Sequence, residues 1–283
     1  MSDSLFPARG QDLFLLEDAV WLLTETINNP AYDFPFDTNF RVQRNWKGEH
    51  RDVLARIGAF ADYEQAYKNL LSNGLRLFNS PQQHFHASQL PFWYPLIASY
   101  TPASRWYPTP PPFEEVEEHF RWPVFVKGSR QTSRHLMETC IAGNREEYQR
   151  LCRRYTLDPI LRWQEFVVRQ FVSLRPVSGG TRGKIKPSFE FRSFWWKKQL
   201  VGVGPYWSTF TKYRWNNEEK DACLQVAQKV AGLVDCPFLV IDLAQTVDGK
   251  WIVIECNDGQ ESGYAGVSPF ALWNRISQIE RHS

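Results

Sequence analysis

The feature that most constrains the fold is a pair of β-rich runs close to the C-terminal end of the sequence. The runs cover residues 238–246 and 251–257 and are rich in β-branched and aromatic side chains. Asp248 and Gly249 lie between them, and an Asp-Gly dipeptide between two such runs is a strong signal for a tight hairpin. The sequence therefore predicts two adjacent antiparallel strands joined by a two-residue loop.

This hairpin brings acidic side chains together. With a two-residue loop, Val247 opposes Lys250 and Asp242 lies directly opposite Glu255, while Asn257 points to the same face. Two facing carboxylates repel each other unless a positive charge lies between them. Carboxylate and amide oxygens suit a hard cation such as Mg²⁺. The spacing is compatible with a metal site, and equally with acids that point into water or meet Lys and Arg side chains.

Alternation also sorts the two faces of the hairpin. We expect the core face to be apolar and to consist of Leu239, Ile241, Leu243, Ile252, Ile254 and Cys256. We expect the polar face to hold the two acids and Asn257, with Thr246, Val240, Ala244, Trp251 and Val253 beside them.

Three cations elsewhere in the chain are candidates for binding phosphate. Lys127 ends the β run that begins at Pro123, where it can reach a phosphate as a point charge or simply lie in water. Arg192 shares a predicted strand face with Glu190, and it can stabilise charge on a transferring phosphoryl group or form a structural ion pair. Lys212 is a further cation in the same half of the sequence.

The remaining elements alternate between helix and strand, which predicts an α+β class. We expect helices at 62–73, 113–120 and after the cap residue Asn144, and strands at 75–78, 164–172, 189–197 and 199–204. We also expect Asn217 to cap a helix with Ala222, Val226, Val230 and Leu233 on one face, and the proline-rich segment 100–112 to be an extended connector.

Composition excludes several classes of protein. The net charge is +2, from 33 basic and 31 acidic residues, which disfavours a module built to hold nucleic acid. The five cysteines include no CxxC pair, so we expect free thiols in a reducing cytoplasm. The sequence has neither a recognisable signal peptide nor a long apolar run, so no membrane association is expected.

Taken in order, a strand lysine, a second apolar strand, a Glu-x-Arg strand, a helix and an Asp strand paired with Glu-x-Asn resemble the ATP-grasp superfamily. The segment 254–260, followed by Ser262 and Gly263, is especially similar to the divergent clade that includes a eukaryotic cell-division-cycle-type assembly factor for a translation initiation factor. The resemblance covers roughly residues 80–270 and is weakest before residue 75.

The resemblance implies two α+β lobes enclosing ATP. It implies an ATP-grasp domain at 80–283, with an N-lobe at about 105–170 and a C-lobe at about 171–283, after a divergent N-terminal region at 1–79. By position, the residues that it places around the nucleotide are Lys127, Arg169, Gln170, Phe171, Val172, Glu190 and Lys212. Lys127 and Arg192 would act on the phosphates, and Asp242, Glu255 and Asn257 would hold one or two Mg²⁺ ions.

Family enzymes of this kind phosphorylate a carboxylate and join it to an amine. The resemblance therefore implies a Mg-ATP-dependent ligase whose acceptor is an unidentified small molecule, peptide or protein; the alternative is an ATP-binding assembly or adaptor factor without turnover. Two departures stand out. The glycine-rich loop after Lys127 is thin, so the loop 178–186 is expected to cover the phosphates, and the small parallel α/β unit usual at the N-terminus is not evident in residues 1–75.

Overall fold

The computed structural model describes residues 51–56, 62–130, 140–179 and 186–282 of the 283-residue chain. Its elements are β1 (Arg51–Val53), α1 (Tyr63–Ser72), β2 (Leu75–Leu77), α2 (Pro81–Ser88), α3 (Leu90–Ile97), a 3₁₀ turn (Ala98–Tyr100), β3 (Ser104–Tyr107), α4 (Phe113–His119), β4 (Val124–Gly128), β5 (Ile141–Ala142), α5 (Arg145–Leu157), β6 (Phe166–Gln170), β7 (Glu190–Trp196), β8 (Gln199–Pro205), α6 (Asn217–Leu233), β9 (Phe238–Gln245), β10 (Trp251–Asp258) and α7 (Pro269–His282). Antiparallel sheets and interspersed helices make this an α+β fold, as predicted. None of the helices within these ranges has the length and apolar character needed to cross a membrane.

The C-terminal lobe is built on an antiparallel sheet with the strand order β10–β9–β7–β8. Strands β7 and β8 meet at Lys197 and Lys198, whose φ angles are 46° and 67°. Positive φ at both central residues is the backbone of a type I′ hairpin turn. The predicted strand pair joined at these two lysines is therefore confirmed.

Both faces of this sheet are covered. Helices α3 and α6 pack on one face against the odd-numbered residues of β7 and β9, including Phe191, Ile241 and Leu243. Helix α7 packs on the opposite face, against Phe194 and Phe238. Beyond α7, that second face carries the polar side chains that form the site described below.

Helix α6 begins one residue earlier than expected. Asn216, rather than Asn217, is the cap, and its side chain accepts a hydrogen bond from the Glu219 N–H in a reciprocal capping box. The predicted buried face is wrong except for Val230: the structure buries Cys223, Ala227, Val230 and Ala231. Leu233 is 49% exposed, because the helix turns a narrow stripe of small residues toward the sheet.

The hairpin of β9 and β10 places Asp242 opposite Glu255, as predicted, but its loop is different. The Thr246 N–H donates to the Lys250 carbonyl at 2.8 Å, so three residues form the loop instead of two. The last of them, Gly249, has a φ of 87°, which glycine adopts without a steric cost. A three-residue loop shifts the pairing next to the turn by one residue.

A β-bulge then restores the pairing at the acids. Val253 pairs with Leu243, Glu255 pairs with Asp242, and Ile254 is the extra residue between them. The predicted faces are therefore wrong between the loop and the bulge. Trp251 and Val253 lie in the core, while Ile252 and Ile254 lie on the side of the acids. The core positions expected for Leu239, Ile241, Leu243 and Cys256 are confirmed.

The N-terminal lobe is built on a second antiparallel sheet with the order β3–β6–β4–β5. Helices α4 and α5 cover one face of this sheet, and Asn144 caps α5 as expected. Lys127 pairs with Val167 and Phe125 with Arg169, so these side chains share the other face. That face points toward the C-terminal sheet.

A small parallel unit precedes these lobes. Strands β1 and β2 pair in parallel, and α1 connects them after a cap at Asp62. The unit is attached to the end of β10, where the Ala55 N–H donates to the Gln260 side chain at 3.0 Å. A parallel α/β unit was not expected within residues 1–75, because a three-residue strand such as β1 has no detectable periodicity. Residues 1–50 lie outside the described ranges.

Candidate functional site

A cavity of about 370 Å³ lies between the two four-stranded sheets. Strands β4 and β6 form one wall, strands β7, β9 and β10 form the other, and the segment 171–176 closes one end. The predicted site residues that line it are Lys127, Arg169, Gln170, Phe171, Val172, Glu190, Asp242 and Glu255. The structure thus brings into one cavity residues that are separated by more than a hundred positions in the sequence.

Two buried ion pairs form the centre of the site. The Lys127 ammonium pairs with the Glu255 carboxylate across the two lobes. Arg192 binds Asp242 through two parallel hydrogen bonds, Nε to Oδ1 at 2.8 Å and Nη2 to Oδ2 at 2.7 Å. These cations allow the two acids to face each other in a water-poor environment. The acids therefore meet Lys and Arg, which is one of the arrangements that the spacing left open.

The charge of both acids depends on these partners. Burial favours the neutral form of Glu255, but the adjacent Lys127 outweighs burial and holds the pKa of this carboxyl below its usual range. Burial raises the pKa of Asp242, and the Arg192 guanidinium opposes that rise. Removing either cation would leave an uncompensated negative charge in the interior, which is strongly unfavourable.

Arg192 is held from three directions. Besides binding Asp242, its Nη1 donates to the Gly263 carbonyl at 2.8 Å, and its guanidinium lies 4.9 Å from the centre of the Tyr206 ring. Such a fixed guanidinium presents a planar set of donors without further ordering. It lies next to the cavity wall formed by Asp242 and Tyr206 rather than among the residues that line the cavity.

Asn257 lies beside the acids, as expected from alternation. It is half-buried, and its side chain is hydrogen-bonded to the Glu255 carboxylate. It is not one of the residues lining the cavity. Its position therefore supports Glu255 directly, and a role as a metal ligand stays a prediction.

Glu190 is a buried acid on the same strand face as Arg192. Its carboxylate accepts hydrogen bonds from Ser188 Oγ at 3.1 Å and from Trp207 Nε1 at 3.0 Å. Burial, reinforced by the negative charge of Asp242, raises the pKa of Glu190 to about 8. At neutral pH this side chain therefore favours its protonated form, which can donate as well as accept a hydrogen bond.

The connection between the lobes is firmly tied at Gln170. Its N–H donates to the Ala103 carbonyl at 2.8 Å, and its side-chain amide makes reciprocal bonds with the Arg121 backbone at 3.1 and 3.0 Å. The Gln170 N–H is thus already engaged in the sheet. Phe171 and Val172, which follow it, contribute apolar surface to the cavity.

Two predicted phosphate-binding features lie apart from this centre. Lys212 is exposed and does not line the cavity. Most of the loop 178–186 falls outside the described residues, but Lys186, at its end, does line the cavity. Positions 131–133, at the end of the thin loop after Lys127, also lie outside the described ranges.

Some cavity residues were not identified from the sequence. Tyr206 and Trp207 line the cavity, and the Tyr206 N–H donates to the Glu190 carbonyl at 2.9 Å. A signal for them existed, because extending the predicted pairing of 189–197 with 199–204 past its end brings Tyr206 beside Glu190. Ile252 and Ile254 were missed because the bulge is invisible in the sequence pattern.

A cleft between two α+β lobes, with a lysine on one wall and an arginine strand and an acid-bearing hairpin on the other, is the architecture of an ATP-grasp protein. A family of this superfamily, described as ATP-grasp domain, clade family 3, matches residues 108–276, which is more than half of the chain. The chain belongs to this family, and the resemblance inferred from its motifs is confirmed. Comparison with curated protein sequences gave no match.

Solved structures show the same fold. The RimK domain ATP-grasp protein from Sphaerobacter thermophilus superposes with a TM-score of 0.54 and 14% identity, covering 81% of this chain and 78% of that one. The ATP-grasp ligase PsnB, solved with a phosphomimetic variant of its minimal precursor, Mg and ADP, gives 0.50 and 14%, covering 81% and 76%. Cdc123 from Schizosaccharomyces pombe is also matched, with a TM-score of 0.47 and 16% identity, covering 62% and 85%.

The raised pKa of Glu190 makes stability depend on pH. The folded protein keeps this proton up to about pH 8, whereas the unfolded chain loses it near the usual value of 4.5. Between these values the folded state binds more protons, so stability falls as pH rises. Glu190→Gln keeps a neutral side chain throughout. We expect the free energy of unfolding of the wild type to fall relative to this variant between pH 5 and 8, by at most about 1.4 kcal/mol per pH unit.

Urea unfolding of both proteins at pH 5, 6, 7 and 8 measures this difference. A gap between wild type and Glu190→Gln that stays constant over the range would show that Glu190 does not hold its proton in the folded state.

Proposed function

We propose that this ATP-grasp protein is a Mg-ATP-dependent ligase that activates a carboxylate and joins it to an amine or a related nucleophile. The observation that carries the proposal is the pair of ionic contacts, Lys127 with Glu255 and Arg192 with Asp242, at one end of a cavity between two lobes. Cations that reach phosphate and acids that hold a metal are the two components that phosphoryl transfer requires.

The donor set fits Mg²⁺. Magnesium in nucleotide sites is bound by one or two carboxylates, with phosphates and water completing the shell. Asp242 and Glu255 would hold it, and the Asn257 amide would assist. Within the described ranges, no group of three or more His, Cys, Asp or Glu side chains could hold a metal. Each of the two carboxylates already accommodates a positive partner, which shows that the position accepts cations. When bound, the metal would neutralise phosphate charge.

In this proposal Lys127 and Arg192 change partners as the nucleotide arrives. Both leave the carboxylates and turn to the phosphates, while the two carboxylates pass to the metal. The buried charges stay balanced only if metal and nucleotide bind together, because each alone leaves a set of like charges unpaired. Lys127 and Glu255 therefore link nucleotide binding to metal binding.

The chemistry needs no side-chain nucleophile. A carboxylate oxygen of the substrate bonds to the terminal phosphorus of ATP as the bond to ADP breaks. The nucleophile then bonds to the resulting acyl-phosphate carbon, and inorganic phosphate leaves. Arg192 would stabilise the charge of the transferring group, and fixed donors of this kind supply much of the rate enhancement in such reactions. The apolar side chains of Phe125, Ile252 and Ile254 line the cavity and would limit access of water.

The acceptor class is a further part of the proposal. PsnB was solved with a peptide precursor variant, and we propose that a small molecule, a peptide or a protein occupies the corresponding position here. The alternative from the sequence is an ATP-binding assembly or adaptor factor, which would bind Mg-ATP without consuming it.

Nucleotide binding gives the first test. We expect ATP to bind in calorimetric titration with Mg²⁺, and Glu255→Gln to weaken that binding by about tenfold or more, since loss of a metal-binding charge has effects of this size. Glu219→Gln is the matched control, because Glu219 also pairs with an arginine, Arg175, but lies outside the cavity. Absence of ATP binding to the wild type under every condition would refute the proposal.

The exchange of partners predicts an opposite effect for Lys127→Met. In the wild type Lys127 competes with a metal for Glu255, so removing it should strengthen binding of Mn²⁺ without nucleotide by about tenfold while weakening ATP binding. Electron paramagnetic resonance of free Mn²⁺ measures the first effect and calorimetry the second. Unchanged Mn²⁺ affinity in this variant would contradict the exchange.

Turnover separates the ligase from the adaptor. We expect the wild type to release ADP when ATP, Mg²⁺ and a mixture of peptides and amines are supplied, and hydroxylamine to trap the activated carboxylate as a hydroxamate. Arg192→Lys should lower the rate by about a hundredfold or more, because one fixed donor to a developing charge has effects of this order. Tight Mg-ATP binding without ADP release would favour the adaptor.

A further inference from the structure

The acid-bearing strand β10 lies at the edge of its sheet, and two side chains from outside that sheet contact the edge. Thr101 Oγ1 donates to the Val253 carbonyl at 2.8 Å, and Arg169 Nη1 donates to the Ile254 carbonyl at 2.7 Å. Both donors are buried, with 8% and 5% of their surface exposed. Two consecutive carbonyls of one strand are therefore bound by the neighbouring lobe and its connector.

A regular strand cannot offer two consecutive carbonyls on the same side. Successive carbonyls of a β-strand point in opposite directions, so only every second one reaches the outer edge. The bulge at Ile254 breaks this alternation. The contacts of Thr101 and Arg169 are thus specific to the bulged form of β10.

The bulge decides which residue faces Asp242. The three-residue loop sets a pairing in which Val253 lies opposite Leu243, and continuing it without interruption would place Ile254 opposite Asp242. Glu255 would then point to the opposite face, because a shift of one residue exchanges the faces of a strand. The extra residue at the bulge restores Glu255 to the cavity.

Arg169 is itself fixed. Its Nε donates to Ser104 Oγ at 2.9 Å, and its guanidinium lies 5.8 Å from the centre of the Trp93 ring. Ser104 is the residue that pairs with Arg169 on the adjacent strand β3. The arginine therefore reaches the bulge from a rigid part of the N-terminal sheet.

We propose that Arg169 and Thr101 are positioning residues that hold the bulge of β10 and thereby keep Glu255 facing Asp242 across the metal site. The proposal rests on the metal assignment made under Proposed function. It gives Arg169 a role on the hairpin of the opposite lobe that is separate from its place beside the nucleotide.

The test measures metal and nucleotide binding separately. Arg169→Met keeps the length of the side chain and removes its donors, Thr101→Val removes one hydroxyl, and Arg169→Lys restores one charged donor. In the presence of ADP we expect Mn²⁺ affinity, followed by electron paramagnetic resonance, to fall by about tenfold or more in Arg169→Met, in the range seen when a residue that orients a metal ligand is lost. We expect a smaller fall in Thr101→Val and partial recovery in Arg169→Lys.

Binding of ADP without metal is the readout that a general loss of structure would change. We expect it to stay within about threefold of the wild type in all three variants, because the donors removed act on the metal ligand. Arg175→Met is the matched control, since Arg175 makes two hydrogen bonds, to Glu219 and Gln245, away from the bulge, and its Mn²⁺ affinity should equal that of the wild type.

A folded Arg169→Met protein with the Mn²⁺ affinity of the wild type would overturn the proposal. If that variant does not fold, unchanged Mn²⁺ affinity in Thr101→Val would overturn it instead. If the wild type binds no Mn²⁺ with ADP, the metal assignment itself fails and the positioning role fails with it. Wild-type binding together with unaffected variants removes the positioning role alone.

Discussion

The whole site depends on the neutralisation of two buried carboxylates. Asp242 and Glu255 face each other on adjacent strands inside the protein, and they remain there because Arg192 and Lys127 supply two positive charges at hydrogen-bonding distance. An isolated buried charge costs several kcal/mol even after relaxation. Lys127 comes from the N-terminal lobe, so this charge balance also joins the lobes and defines one end of the cavity. The cavity, the orientation of Arg192 and the environment of Glu190 all follow from that arrangement.

The central residues of this site were predictable from sequence because they lie on strands. Side-chain alternation and one turn signal placed Asp242 opposite Glu255, and alternation alone placed Glu190 beside Arg192. Lys127 was found because it ends an apolar run and is followed by Gly128. Backbone periodicity carries all of this information, and the structure brings these residues together as the resemblance implied.

What escaped prediction depends on tertiary contacts. The loop has three residues because Gly249 accepts a positive φ and Thr246 bonds to Lys250, and a two-residue loop fits the sequence equally well. The bulge at Ile254 is bound by residues about 85 and 153 positions away in the chain, which no local pattern reveals. The narrow buried stripe of α6 likewise reflects the close approach of the sheet, which selects Cys223 and Ala227 over larger neighbours.

The contacts on β10 have a consequence beyond the site. Edge strands expose unpaired carbonyl and N–H groups, and such an edge can pair with a strand of another chain and begin aggregation. Thr101 and Arg169 occupy two successive carbonyls at this edge, and Arg169 places a positive charge on it. While the N-terminal lobe stays docked, a second chain cannot extend the sheet here. The lobe that completes the site also shields the sheet from intermolecular β-pairing.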